Sequence, residues 1–293
     1  MTVNKNINID VNLAKSLIPV QFPQWQHLAI TPVKFSGWDN RTFHLGDEMT
    51  IRLPSDESYA PQILKEYQWL PKLSKEITLE ITQPLALGKP TEAYPWPWSI
   101  NKWIEGVSVS QEPVQDLVQL ANDLGRFLQE LHQIDSTGGP VAGAHNFYRG
   151  GALSTYDAEM RPAIPLIEHS HHKSIAEQLW NDALSSSWQD TPVWVHGDIA
   201  IGNLLVKAGK LNAVIDFGQL AIGDPACDLS IAWTLFSEES RTAFREAITL
   251  DNNTWIRALG WTLWKTVCWP VKGSNVKQII HDVLHDYTTD YID

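Results

Sequence analysis

Asp198, Asn203 and Asp216 are the residues of this chain whose types and spacing could do chemistry, and all three fall in one segment, VHGDIAIGNLLVKAGKLNAVIDFG, from Val195 to Gly218. Asp198 and Asn203 stand five positions apart, with Gly197 and Gly202 allowing sharp turns, so a carboxylate and a carboxamide share one loop. Asp216 ends the apolar run AVID and projects from a strand terminus. Two carboxylates and a carboxamide suit Mg²⁺, which takes oxygen donors and leaves room for phosphate oxygens. Phosphoryl transfer needs little more: positioning, charge neutralisation and a carboxylate within reach of the attacking hydroxyl. The segment therefore predicts a phosphoryl-transfer enzyme.

The elements that must position these residues change character along the chain. Up to Gly106 the pattern is mainly strands: HLAITPVKF (His27 to Phe35), RTFHLG, MTIRLP, TLEITQPLALG (Thr78 to Gly88) and WSINKWIEG (Trp98 to Gly106). Gly46-Asp47-Glu48 suits a hairpin turn, and one helix is expected in APQILKEYQWLPKL, ending at Leu73. Beyond Gly106 helices dominate. They begin with Val114 to Ile134, where Leu117, Leu120, Leu124, Leu128 and Leu131 share a face. Glycine-rich Asp135 to Gly151 reads as a loop, Lys173 to Leu184 as a helix, Val193 to Val195, LLVK and AVID as strands. Ala226 to Phe236, Ser240 to Ile248, Thr254 to Trp269 and Ser274 to Tyr291 read as helices. A mostly β part followed by a mostly α part is α+β segregation, with domains expected at 1–105 and 106–293 and a ligand cleft between them.

Composition excludes several classes. The net charge is −12, and residues 106–293 hold 12 Lys+Arg against 23 Asp+Glu, so almost all the excess lies in the second part. Such a surface repels a nucleic-acid backbone. It either attracts a cationic small molecule or serves only solubility. The stretch Leu259 to Val271 is broken by Lys265 and Pro270 and is too short for a bilayer, and no secretory signal is evident, so a cytoplasmic protein is expected. Cys227 and Cys268 form no CxxC pair, and His169, His171 and His172 have no common zinc spacing and read as a solvated loop. Fourteen tryptophans are present; those at 96, 98 and 103 and at 255, 261, 264 and 269 serve either packing or the wall of an acceptor pocket.

The HGDxxxxN loop followed by an ID strand end resembles the aminoglycoside phosphotransferase family of the protein-kinase-like fold. That resemblance implies a two-lobed α+β architecture, an N-terminal antiparallel sheet with one helix and a larger, mostly helical C-terminal lobe. It implies that 1–105 binds nucleotide and 106–293 holds the catalytic loop and the acceptor. By resemblance Asp198 is the catalytic base, Asn203 and Asp216 are metal ligands, and His196 braces the loop. Arg52 and Glu66, fourteen positions apart, resemble the strand lysine and helix glutamate that order a nucleotide's phosphates. Here the family pattern is broken, because the lysine is replaced by an arginine, which grips phosphate through a planar fork. No GxGxxG joins the first strands; in its place Ser36 to Arg41, SGWDNR, could turn backbone N–H groups of Gly37, Asp39 and Asn40 toward an anion or form an ordinary hairpin. The resemblance also implies that backbone groups of Lys102 and Ile104 hydrogen-bond the nucleotide base. GDPACDL, Gly223 to Leu229, matches a family segment, with Asp224 placed to cap a helix and Asp228 structural.

The expectation is an enzyme moving the terminal phosphate of ATP or GTP, with Mg²⁺, to a hydroxyl of a small cationic acceptor, foremost an aminoglycoside or macrolide antibiotic. No activation segment or APE-like motif follows Asp216, which favours a small acceptor over a protein. A metabolic kinase for choline, homoserine, a methylthio-sugar or a fructosamine shares these residues, and a nucleotide-binding pseudokinase is a third reading. A monomer or weak dimer, with no nucleic-acid or membrane partner, is expected.

Overall fold

The computed structural model describes residues 7–34, 37, 39–271 and 273–292. The chain divides into two compact units, one of Met1–Gly106 with Ala213–Gly218, the other of Val107–Asn212 with Gln219–Asp293.

The first unit is built on the hairpin of β2 (Asn40–Leu45) and β3 (Met49–Pro54), whose turn is made by Gly46 at φ 63°. With β1 (Ile30–Pro32), β5 (Pro84–Gly88) and β6 (Trp98–Lys102) they form a five-stranded antiparallel sheet of order β1-β2-β3-β6-β5. Alternation along β3 decides which residue goes where. Ile51 and Leu53 enter a core with Trp98, Ile100 and the apolar side of helix α1 (Val11–Gln21), and Arg52 between them projects from the opposite face. Helix α2 (Ala60–Leu73) packs on β5 and β6 and buries Glu66. A short strand β4 (Glu80–Ile81) pairs in parallel with Ala213 and Val214, the end of β10 (Lys210–Val214). Ser36 and Trp38 of the SGWDNR segment, and Phe35 of the first expected strand, lie outside the described residues.

The second unit is mostly helical. Helix α3 (Leu117–Gln133) buries Leu120, Leu124, Leu128 and Leu131 as its periodicity requires, and its N-terminus is capped by Asp116, whose carboxylate accepts from Gln119 N–H (2.8 Å). Two short antiparallel pairs carry the loops: β7 (Val107–Ser108) with β9 (Leu204–Lys207), and β8 (Val193–Val195) with β11 (Ala221–Gly223). Helices α4 (Asp157–Ala163), α5 (Ser170–Ser185), α6 (Ile231–Thr234), α7 (Glu238–Glu246), α8 (Asn252–Cys268) and α9 (Val276–Asp290) complete it. Helix α8 is central, packing on α4, α5, α9 and the turn of 3₁₀ helix Pro225–Ser230.

The structure differs from expectation in its short elements. Helix α1 lies where no helix was read, started by Asp10, whose carboxylate accepts from the N–H groups of Asn12 and Leu13. Thr78 to Gly88 is two strands rather than one, and the expected strand from His27 shrinks to three residues. Ala226 to Phe236 opens as a 3₁₀ helix and becomes α-helical only at Ile231. His171 and His172 belong to the first turn of α5 and not to a loop.

Candidate active site

The polar residues singled out by the sequence fall into two sets, one in each unit. In the first unit the Arg52 guanidinium joins two carboxylates. Nη1 donates to Glu66 Oε2 (2.8 Å) and Oε1 (3.1 Å), and Nη2 donates to Asp216 Oδ1 (2.8 Å). A planar fork can serve two acceptors at once, which an ammonium does less well. Burial alone would lower the Arg52 pKa, but the two carboxylates outweigh it and raise the value above the ordinary one. Burial pushes Glu66 upward, with Arg52 opposing it. Asp216 is the more accessible partner, its side chain 35% exposed against 2% for Glu66. It has φ 68°, an unusual conformation for a residue with a side chain and one that clusters at functional sites, and its N–H reaches Thr82 Oγ1 (3.4 Å).

The remaining first-unit residues stand apart from this triad. Asn40 begins β2, buried opposite Pro54, and Arg41 Nη1 donates to Gly37 O (3.2 Å) across the turn. Lys102 closes β6; its ammonium pairs with Glu80 (2.7 Å), and its N–H donates to Gln83 O (2.9 Å). Trp103 N–H donates to Glu48 O (2.7 Å). Of the two backbone positions expected to meet a base, Lys102 therefore offers its carbonyl, whereas Ile104 N–H has no acceptor among the described residues.

The second set surrounds Asp198. Its loop is braced from below: Asp228 accepts from the N–H groups of His196 and Gly197 (2.7 Å each), and His196 Nδ1 accepts from Asp198 N–H (3.2 Å). Gly197 has φ +84°, and a Cβ there would lie 2.6 Å from Gln219 O. Ser108 Oγ donates within reach of Ile201 O and Gly202 O, fixing the far side of the loop. Asn203 Nδ2 donates to Asp198 O (2.9 Å) and approaches Asp198 Oδ2 (3.4 Å), so its own Oδ1 is turned away and available to a cation.

One neighbour of Asp198 was not foreseen. Lys265 Nζ, from α8, lies 3.1 Å from Asp198 Oδ1. Burial alone would raise the Asp198 pKa; Lys265, then His196 and Arg149, hold it below the usual carboxylate value, so the group is an ionised acceptor. The signal was a lone ammonium within an apolar, tryptophan-rich run, a placement that demands a partner.

Asp216 in the first unit and Asn203 in the second each carry an oxygen donor of the kind Mg²⁺ takes alongside phosphate oxygens, so each by its chemistry fits the metal. Among the described residues no group of three or more His, Cys, Asp or Glu side chains could hold an ion by protein ligands alone. Among them, too, no helix is long and apolar enough to cross a membrane.

The profile of the Phosphotransferase enzyme family matches residues 29–261. The chain belongs to that family. This phosphotransferase-family chain is also 28% identical over 122 residues to an aminoglycoside 3'-phosphotransferase of Escherichia coli, a stretch covering 41% of this chain and 45% of the relative. The match thus spans less than half of that relative's length. Among solved structures, the GDP and kanamycin complex of APH(2'')-IIIa superposes with a TM-score of 0.70 at 19% identity, covering 95% of this chain and 99% of the other. Macrolide 2'-phosphotransferase MphH from Brachybacterium faecium gives 0.62 at 16% identity, with 94% and 93% covered. At such identity the likeness is one of fold, and it is the kinase-like fold: an antiparallel sheet in the N-terminal unit and a helical C-terminal unit.

Proposed function

We propose that the chain moves the terminal phosphate of ATP or GTP to a hydroxyl of a small acceptor of the aminoglycoside or macrolide antibiotic class. The observation that carries this is the Arg52–Glu66–Asp216 triad: an arginine drawn between two carboxylates, one sealed and one accessible. Burying such a set stabilises a fold poorly, so its use lies with a ligand. In this reading Arg52, ordered by Glu66, grips the nucleotide's phosphates and Asp216 with Asn203 holds Mg²⁺, which when bound neutralises phosphate charge. Residues 1–105 serve the nucleotide, with Asn40 near the phosphates and Lys102 O and Ile104 N–H at the base. Residues 106–293 supply the catalytic loop and hold the acceptor.

Asp198 orients the acceptor hydroxyl and takes its proton as the new O–P bond forms and the bond from phosphorus to the nucleoside diphosphate breaks. Its ionised state suits a loose transition state, where alignment counts for more than strong basicity. The relatives' named acceptors, aminoglycosides and macrolides, supply the class.

The test is transfer to a panel of aminoglycosides and macrolides, with mass spectrometry for the added phosphate. Asp198→Ala should lower kcat by at least about 10²-fold while nucleotide binding persists. Near-normal turnover in that variant would remove Asp198 from its role, and wild-type protein that phosphorylates no member of the panel would refute the acceptor class.

A further inference from the structure

The Arg149 guanidinium has no hydrogen-bonding partner among the described residues and stands close enough to the proposed base to act on its charge. It lies in the loop HNFYRGG, which Asn146, fully buried, holds in place: Oδ1 accepts from Gly143 N–H (2.9 Å), and Nδ2 donates to Arg149 O (2.7 Å) and Gln219 O (3.1 Å). Phe147 and Tyr148 both have positive φ, 51° and 56°, two consecutive strained non-glycine residues of the kind found at functional loops. Tyr156 Oη donates to Phe147 O. The loop rests against the Asp198 turn, since a Cβ on Gly197 would be 3.1 Å from Arg149 Cβ.

The guanidinium is platformed on aromatic rings, its carbon 4.8 Å from the Trp264 ring, 5.4 Å from Trp261 and 5.9 Å from Tyr156. Rings satisfy its face and leave its edge N–H groups, which have no acceptor among the described residues. The next residue after Trp264 is Lys265, bonded to Asp198. Two cations thus attend the Asp198 carboxylate, while the Asp228 carboxylate below the loop is turned to the backbone N–H groups of His196 and Gly197, and the fork of Arg149 donors is left open. That is the construction used to receive an oxyanion.

We propose that Arg149, with Lys265, forms an oxyanion subsite beside Asp198 that takes the non-bridging oxygens of a phosphate-type group. The proposal rests on Asp198 as the site of reaction. Two sources share this chemistry: the phosphoryl group in transfer, and an anionic substituent on the acceptor.

The experiment compares wild-type full-length protein with Arg149→Gln and Arg149→Lys, each checked by thermal melting. Binding of inorganic phosphate to the resting protein, followed by ³¹P NMR, needs neither acceptor nor turnover. It should weaken about tenfold or more in Arg149→Gln and partly recover in Arg149→Lys, which keeps the charge but loses the fork. Turnover separates the sources. If the transferred phosphoryl is the ligand, nucleotide hydrolysis by water and transfer to every acceptor fall together, by about 10²–10³-fold in kcat with nucleotide KM unchanged. If the ligand is an acceptor substituent, water hydrolysis keeps its rate and only anionic acceptors lose, in KM. Phosphate binding, hydrolysis and transfer all equal to wild type in Arg149→Gln would overturn the subsite. Failure of Asp198→Ala to slow transfer would instead strike the assignment of the base, so the two failures are told apart. Arg149→Lys carries the comparison where the glutamine variant does not fold.

Discussion

Replacing Arg52 by Met should destabilise the protein in a way that depends on pH, because it strands Glu66. The Glu66 side chain is 2% exposed, and both its oxygens accept from Arg52 Nη1. Without the guanidinium, the folded state must hold Glu66 either as a bare buried carboxylate or as the neutral acid. The neutral form sets the ceiling on the cost. Protonating a glutamate at pH 7 against an ordinary pKa of ~4.3 costs ~1.36 kcal/mol for each of ~2.7 units, about 3.7 kcal/mol. That agrees with the roughly 3–5 kcal/mol found when one partner of a buried pair is removed. The sign follows from linkage: a folded pKa above the unfolded one means the folded state binds the extra proton, so the deficit shrinks as pH falls and nearly vanishes by pH ~4.5. Urea unfolding of wild type and Arg52→Met between pH 5 and 8 measures it directly, and Arg52→Met/Glu66→Met should recover most of the loss. A destabilisation at pH 7 below about 1 kcal/mol, or one of equal size at pH 5 and pH 7, would refute the reasoning.

Two further outcomes follow from local geometry. Gly197→Ala should cost about 1–3 kcal/mol through its φ of +84° and its contact with Gln219, and should slow transfer by displacing Asp198, whereas Gly202→Ala, with open space around it, should stay within about 0.5 kcal/mol; urea melts and steady-state rates on both variants check the contrast. His132, whose Nε2 is buried without a hydrogen-bond partner among the described residues, is pushed by burial down to about 4, so the unfolded chain takes up a proton first and stability falls as pH drops from about 6.5 toward 4, by about 3 kcal/mol in all. His132→Leu should flatten that acid limb in pH-dependent unfolding, and an unchanged limb would clear the histidine of the effect.

Periodicity made the long elements legible and left the short ones hidden. Four of the leucines of α3 recur at helical intervals over a long segment, and the β2–β3 hairpin has alternation and a glycine where the turn needs positive φ. Helix α1 has a good cap in Asp10 but carries Pro19 inside and is short enough for its apolar residues to pass as irregular. Helix α4, seven residues with Pro162 within, has the same difficulty. At Pro225–Ser230 the cap and proline were read correctly as a helix start, and Asp224 does accept from Ala226 N–H (3.0 Å), but those signals do not distinguish a tight 3₁₀ turn from an α-helix. Arg52 and Glu66 were legible because β3 and α2 are adjacent in sequence and each has a clear period.

Charge near Asp198 was the least legible feature, because total charge and contact charge obey different rules. The acidic excess beyond residue 105 suggested a cationic acceptor, yet the groups next to Asp198 include two cations, Lys265 and Arg149. Surface charges more than about 8 Å away are largely screened at physiological salt, so the neighbours in contact set the field at the Asp198 carboxylate. Helix α8 itself separates the two kinds of basic residue. Arg257 is buried and donates to Asp224 at 2.6 Å, both partners nearly sealed, the Asp224 side chain 10% exposed. Eight positions later Lys265 pairs with Asp198, whose side chain is 40% exposed. A sealed pair can only hold the helix against the turn it packs on. The open pair leaves a carboxylate face exposed, and that difference in access, rather than any difference in charge, separates the two pairs on one helix.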